Sequence, residues 1–133
     1  MSLMNPGSLL VLENTGRRTG KRRFTPLGYW EEEGAYFIGG GAGGSSIVPD
    51  WVRNLQADSN AAVWIHRSRI PVRAEELQGT ERDRAKQTAT GIWRGVPGYE
   101  TKAGRVIPYF RLVPQAMGQR TAGGAGTRPS VDD

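Results

Sequence analysis

Five cations fall within seven residues of the stretch NTGRRTGKRRFTPLGY (14–29): Arg17, Arg18, Lys21, Arg22 and Arg23. Guanidinium and ammonium groups at that density make a receptor for an anion, and Gly16 and Gly20 keep the stretch from reading as a plain helix. Three anions suit such a loop: a nucleic-acid backbone, a membrane surface, or the phosphate of a small cofactor. Eighteen Lys and Arg stand against thirteen Asp and Glu in the 133-residue chain, and those five cations account for the whole excess. The basic character is therefore one patch on a balanced protein. Nucleic-acid binders instead spread their cations along a face, so that several phosphates are neutralised at once.

Other residues that could do chemistry are few. The glycine run GGGAGG (39–44) precedes a helix start, where backbone N–H groups and the helix dipole can meet an anion, although the same run also reads as a linker. It matches neither a Walker A loop nor the G-x-G-x-x-G fingerprint with its acidic partner. His66 is the only histidine; it lies in an expected strand flanked by Arg67 and Arg69, has no orienting carboxylate, and reads as a strand histidine without a catalytic role. There is no cysteine, and the carboxylates gather in solvated runs such as Glu31-Glu32-Glu33, so no metal site is expected. Trp51 follows the glycine run and is expected to face whatever that run binds, whereas Trp64 and Trp93 read as packing residues. Tyr99, in GVPGYETK, reads as a lid or as a packing contact. With no nucleophile, base or metal in view, chemistry has to come from a bound cofactor.

The elements that must position these residues are short. SLLVLENT, from Ser8, reads as a first strand ending at the Asn14-Thr15-Gly16 turn. RRFTPLGYW and GAYFIGG read as two strands joined by a hairpin at Glu31–Gly34. VPDWVRNLQADS reads as a helix with Pro49 at its start and Asp50 in its first turn, and Trp51, Asn54 and Leu55 share one face. AAVWIHRSRIPVRAEEL reads as two strands joined at Arg67-Ser68. GTERDRAKQTATGIW reads as a helix capped by Thr80, with Ala85, Ala89 and Ile92 on one face; an irregular stretch holding Tyr99 follows. VIPYFRLVP is the last strand. Five to six mostly antiparallel strands with two or three helices predict a mainly β (α+β) fold, a small barrel closed by helices. One domain over 1–115 and a flexible glycine-rich tail over 116–133 are expected. The start lacks the basic and apolar regions of a secretory signal, and no apolar run is long enough to span a membrane, so the expected location is the cytoplasm.

TGRRTGKRRFTPLGY, the glycine run, PDWVRNLQADSNAAVWI and PGYETKAGRVIPYFRLVP together resemble the deazaflavin-dependent nitroreductase family, over about Leu9 to Pro114. The resemblance implies a split β-barrel that uses reduced coenzyme F420, a deazaflavin carrying a phosphodiester and an oligoglutamate tail. Such a tail is a compact polyanion, which suits one basic loop on a neutral protein. Carried over by position, Arg17 and Arg18 would meet the phosphate and tail, with Arg23 in support. The backbone at Pro26 and Leu27 would lie against the deazaflavin. Gly39, Gly40, Gly41, Gly43 and Gly44 would supply amides near the phosphate, and Trp51 and Asn54 would close the pocket. Gly28, Val96 and Tyr99 would face the acceptor, with Tyr99 or water as proton donor.

Two departures from the family pattern stand out. Ala42 replaces a lysine that would touch phosphate, and Gly28, Val96 and Lys102 stand where nitro-reducing members carry tyrosines. Space left at Gly28 would admit a wider acceptor. The implied activity is hydride delivery to a quinone, enone or nitro compound. A non-catalytic F420 carrier, an FMN-binding split barrel and a nucleic-acid module are the alternatives, the last disfavoured because Arg17–Arg23 holds no aromatic residue. Monomer and homodimer stay open, as does peripheral membrane contact by the apolar start.

Overall fold

A computed structural model describes residues 4–41 and 44–115. Ala42, Gly43 and the glycine-rich tail lie outside the described residues, and so do the expectations placed on them. Six strands, β1 (Met4–Thr15), β2 (Arg22–Glu32), β3 (Ala35–Gly39), β4 (Asn60–Ile65), β5 (Ser68–Glu76) and β6 (Tyr109–Pro114), close into a barrel in the order β1-β2-β3-β6-β5-β4. Every pairing is antiparallel. Three helices, α1 (Asp50–Ala57), α2 (Gly79–Ile92) and α3 (Tyr99–Ala103), complete the fold. The expected mainly β barrel is thus what forms, with antiparallel pairing throughout.

Alternation along the strands separates two cores. Leu10, Leu12, Tyr29, Ile38, Val63, Phe110 and Leu112 point into the barrel, and Trp51, Val52 and Leu55 of α1 join them. Their neighbours Trp30, Phe37 and Tyr109 point outward, where Ala85 and Ala89 of α2 and Val96 and Ala103 near α3 cover them. Small residues at Ala85 and Ala89 let α2 approach the barrel closely, and Trp30 stacks on Phe37 beneath it at 5.4 Å.

Several boundaries differ from the sequence reading, each for a local reason. β1 begins at Met4 rather than Ser8, because positive φ at Asn5 (55°) and Gly7 (81°) absorbs a register irregularity and lets pairing with β2 resume. The β4–β5 turn falls at His66-Arg67, and His66, at φ 58°, is an exposed turn residue and not a strand residue. Thr80 does not cap α2: the helix begins at Gly79 behind an extended Gln78, with no side-chain cap. The stretch holding Tyr99 is not irregular but a 3-10 turn (Val96–Gly98) running into α3. It is held because the Glu100 carboxylate accepts from the backbone N–H of Ile107 at 3.0 Å, from Lys86 Nζ at 3.0 Å and from Arg82.

One buried carboxylate ties four strands together. Glu13 of β1, 6% exposed, accepts from Arg22 of β2 (2.6 Å), Trp64 of β4 (2.8 Å) and Arg69 of β5 (2.9 Å). Burial alone would raise its pKa, but the hydrogen bonds from Arg69, Trp64 and Arg22 outweigh that and hold it at about 2. Among the described residues no helix is long and apolar enough to cross a membrane.

Candidate active site

The basic loop leaves β1 at Gly16 and is closed by two backbone bonds, Gly16 N–H to Lys21 O (2.7 Å) and Gly20 N–H to Gly16 O (2.8 Å). Gly20 sits at φ 74°, a conformation that side chains rarely adopt. α1 docks on this loop: Asn14 Nδ2 donates to Trp51 O (3.1 Å), and Asn54 Oδ1 accepts from both the backbone N–H (3.0 Å) and Nη1 (2.8 Å) of Arg17. A groove of about 540 Å³ opens between loop and helix, lined by Arg17, Arg18, Arg22, Arg23, Trp51 and Asn54 among others.

The five cations are not equivalent. Arg22 is held by Glu13 and by Thr15 Oγ1 at 2.7 Å, which makes it part of the barrel's scaffold. Arg17 is anchored to Asn54 and lies 3.4 Å from Asp50, the one carboxylate lining the groove. Arg18 and Arg23 line the same groove with no hydrogen bond or ion pair among the described residues. Lys21, whose side chain likewise has no partner among the described residues, does not line the groove, so Arg18 and Arg23 are the unpartnered cations of the groove. Trp51 lines the groove but is 7% exposed and packs on Phe110 at 5.9 Å, so it closes the barrel end more than it offers a ring face.

A second chamber, about 240 Å³, lies farther along β2 and is lined by Gly28, Gly39, Gly41, Trp93, Val96, Tyr99 and Tyr109 together with Leu9. Thr25 of the groove and Gly28 of the chamber are three residues apart on one strand, about 10 Å. Between them lie Pro26 and Leu27. β1 pairs with β2 along its whole length, but β3 takes up only Trp30–Glu32, so Arg23–Tyr29 has an edge with no neighbouring strand. That open edge joins the cationic groove to the aromatic chamber.

The glycines serve mainly to let rings approach backbone. A Cβ at Gly39 would stand 2.7 Å from the Tyr109 ring, and one at Gly41 would stand 2.8 Å from the Tyr99 ring. The amides of Gly40 and Gly44 are already used, donating to Pro108 O and Gly41 O at 2.8 Å each, whereas Gly39 stands opposite Tyr109, whose carbonyl is taken by the Leu77 N–H, so the Gly39 amide makes no bond to β6. The expected row of phosphate-binding amides therefore loses Gly40 and Gly44 and keeps Gly39 and Gly41 among the described glycines. Arg105 fixes the run by donating to Gly40 O and Ser45 O, both at 3.0 Å.

The expected space over Gly28 is not there. A Cβ on Gly28 would lie 2.7 Å from Trp93 Cζ2, so the indole fills the volume that a side chain at position 28 would need. Trp93, which reads from sequence as a packing residue, is a wall of the chamber. The sequence marks Tyr109 only by an outward position on the last strand beside inward Phe110. Burial pushes its phenol up to about 12, opposed more weakly by the charge of Arg82. Lys102 packs over Gly44 rather than lining the chamber. No group of three or more potential metal ligands occurs among the described residues.

Comparison with known proteins places the chain in a family. The F420H(2)-dependent quinone reductase family matches residues 2–114. The chain belongs to that family. A Mycobacterium tuberculosis protein, by name a candidate F420H(2)-dependent quinone reductase, is 28% identical over 110 residues, covering 83% of this chain and 92% of its own length. A solved F420-H2 dependent reductase of the FDR-A group is 31% identical with a TM-score of 0.71, covering 78% of this chain and 92% of that one. A second structure, a domain-swapped dimer, is also 31% identical, with a TM-score of 0.72 and coverage of 82% and 81%. The chain is thus an oxidoreductase working with reduced F420, and its family is named for quinone rather than nitro acceptors.

Proposed function

We propose that the groove and chamber are one site, with the phosphate and glutamate tail of F420 in the groove and the deazaflavin along the open edge of β2. The observation that carries this is the continuity from unpartnered Arg18 and Arg23, past Pro26 and Leu27, to Gly28 and the aromatic chamber. The fit is chemical as well as spatial: two free guanidiniums suit a polyanion, and an unpaired strand edge suits a planar heterocycle that can hydrogen-bond to backbone. When bound, the reduced deazaflavin supplies a hydride from C5.

The protein's own residues bind, orient and keep out water. Arg18 and Arg23 hold the tail. Arg17, anchored by Asn54, keeps the loop shaped and adds positive potential. Trp51 and Asn54 close the groove from α1, and Gly41 lines the chamber. Trp93, Val96 and Tyr99 bound the acceptor. A homodimer is the assembly this reading favours over a monomer, on the strength of the domain-swapped relative.

With Trp93 over Gly28, the acceptor's slot is flat and walled by aromatic rings, which suits a quinone. Menadione is therefore expected to exceed both a cyclohexenone and a bicyclic nitroimidazole in kcat/KM at saturating reduced F420, by roughly tenfold or more over the nitroimidazole. That factor corresponds to losing two or three stacking contacts at about 0.5–1.5 kcal/mol each. A nitroimidazole that turns over fastest would contradict the acceptor reading. Tight F420 binding without turnover of any of the three would favour the carrier.

A further inference from the structure

Tyr109 is 3% exposed, and its hydroxyl makes no hydrogen bond among the described residues. The polar side-chain atoms sealed from the surface without a partner are Asn14 Oδ1, Trp30 Nε1 and Arg105 Nη1. The Tyr109 hydroxyl is not one of them. What little surface the residue keeps thus includes its oxygen, and the cavity that the residue lines is the chamber.

The ring is held firmly. Tyr109 sits on β6 directly opposite Gly39, which has no Cβ to push the ring away. The Arg82 guanidinium lies over the ring, 5.7 Å from its centroid, and is itself fixed by donating to Ile107 O at 2.8 Å and by the Glu100 carboxylate. A donor placed on a barrel strand and clamped this way needs little reorganisation when charge develops nearby.

We propose that Tyr109 is a catalytic hydrogen-bond donor to the quinone: its O–H donates to the carbonyl oxygen on which negative charge develops. The proposal rests on the chamber being the acceptor site. A quinone that takes up a hydride becomes a hydroquinone monoanion, while reduced F420 is oxidised; the one proton that completes the hydroquinone then comes from water, which leaves as hydroxide. Tyr109 keeps its own proton, because burial holds the phenol at about 12 and an ordinary phenol titrates near 10. The residue is a fixed dipole aimed at an oxyanion, not a proton relay.

The test uses Tyr109→Phe, which keeps the ring over Gly39. Acceptors are menadione and the N-methylphenazinium cation, a hydride acceptor with no oxygen on which charge can build. F420 affinity is read by fluorescence titration and folding by the melting temperature. The expected result is unchanged F420 affinity, a fall of tenfold or more in kcat/KM for menadione, and a change within twofold for the phenazinium. A menadione rate that does not fall, or an equal fall for both acceptors, overturns the proposal. Should Tyr109→Phe not fold, the Arg82→Lys protein supplies the comparison: it loosens the clamp and is expected to lower menadione selectively, and an unselective loss counts against the proposal. A wild-type protein that binds F420 but passes no hydride to menadione overturns the reading of the chamber itself, an outcome distinct from any result on the variant.

Discussion

Replacing Arg18 and Arg23 together with Ala is expected to weaken F420 binding by about a hundredfold while leaving the barrel intact. Both side chains line the groove, and neither has a protein partner whose loss would disturb the fold. Charge-assisted hydrogen bonds contribute about 1.5–3 kcal/mol each, and the exposure of these two side chains keeps each near the lower end. Two of them give roughly a hundredfold in Kd. The deficit should shrink for an F420 precursor lacking the glutamate tail, and it should also shrink at high salt, where wild-type affinity falls. Arg22→Ala is the informative contrast. Its guanidinium is bound to Glu13 and Thr15, so its removal should act on stability first. Calorimetry of binding and of melting separates the two outcomes. An unchanged F420 affinity in the double variant would mean that the groove serves another anion.

The second large effect concerns Glu13. Glu13→Ala leaves Arg22, Arg69 and Trp64 Nε1 without their shared acceptor at the junction of β1, β2, β4 and β5. Removing one partner from such a cluster costs about 3 kcal/mol or more, and a drop in Tm on the order of 10 °C follows for a domain of this size. The pH dependence has a definite sign. The carboxylate's pKa is depressed from 4.5 to about 2 on folding, so its contribution is fully present above pH 4.5 and is lost as pH falls toward 2. That depression corresponds to about 3 kcal/mol. Wild-type stability should therefore fall across this window, and Glu13→Gln should show a flatter profile there. A variant with the wild-type slope between pH 4.5 and 2 would place the acid sensitivity elsewhere.

Much of this molecule can be read from its residues. Alternating strands, the hairpin expected at Glu31–Gly34 (whose turn falls at Glu33-Gly34, with Glu31 and Glu32 still in β2) and the Trp51/Asn54/Leu55 face of α1 follow from local patterns, because each depends on neighbours in sequence. The closure of the barrel agrees with the resemblance, and Arg17, Arg18, Arg23, Trp51 and Asn54 line one groove. What sequence could not separate was which cations are committed to the fold. Arg22 and Arg23 look alike in a basic run, yet Arg22 meets a carboxylate nine residues away that four strands share. The glycine run misled in a similar way. A row of glycines suggests free amides, but Gly40 and Gly44 use theirs internally, and Gly39 and Gly41 are small because tyrosine rings lie against them. Trp93 was equally hidden, since its contact with Gly28 joins α2's end to the middle of β2.

The measurement that bears most directly on the site is a fluorescence titration of the purified protein with F420 and, separately, with FMN. FMN has the ring and a phosphate but no glutamate tail, so it leaves the unpartnered guanidiniums of Arg18 and Arg23 largely without an anion. F420 is predicted to bind in the micromolar range or tighter, with FMN at least tenfold weaker. Equal affinity for the two flavins, or no F420 binding at low salt, would contradict the assignment of the basic groove to the cofactor's tail.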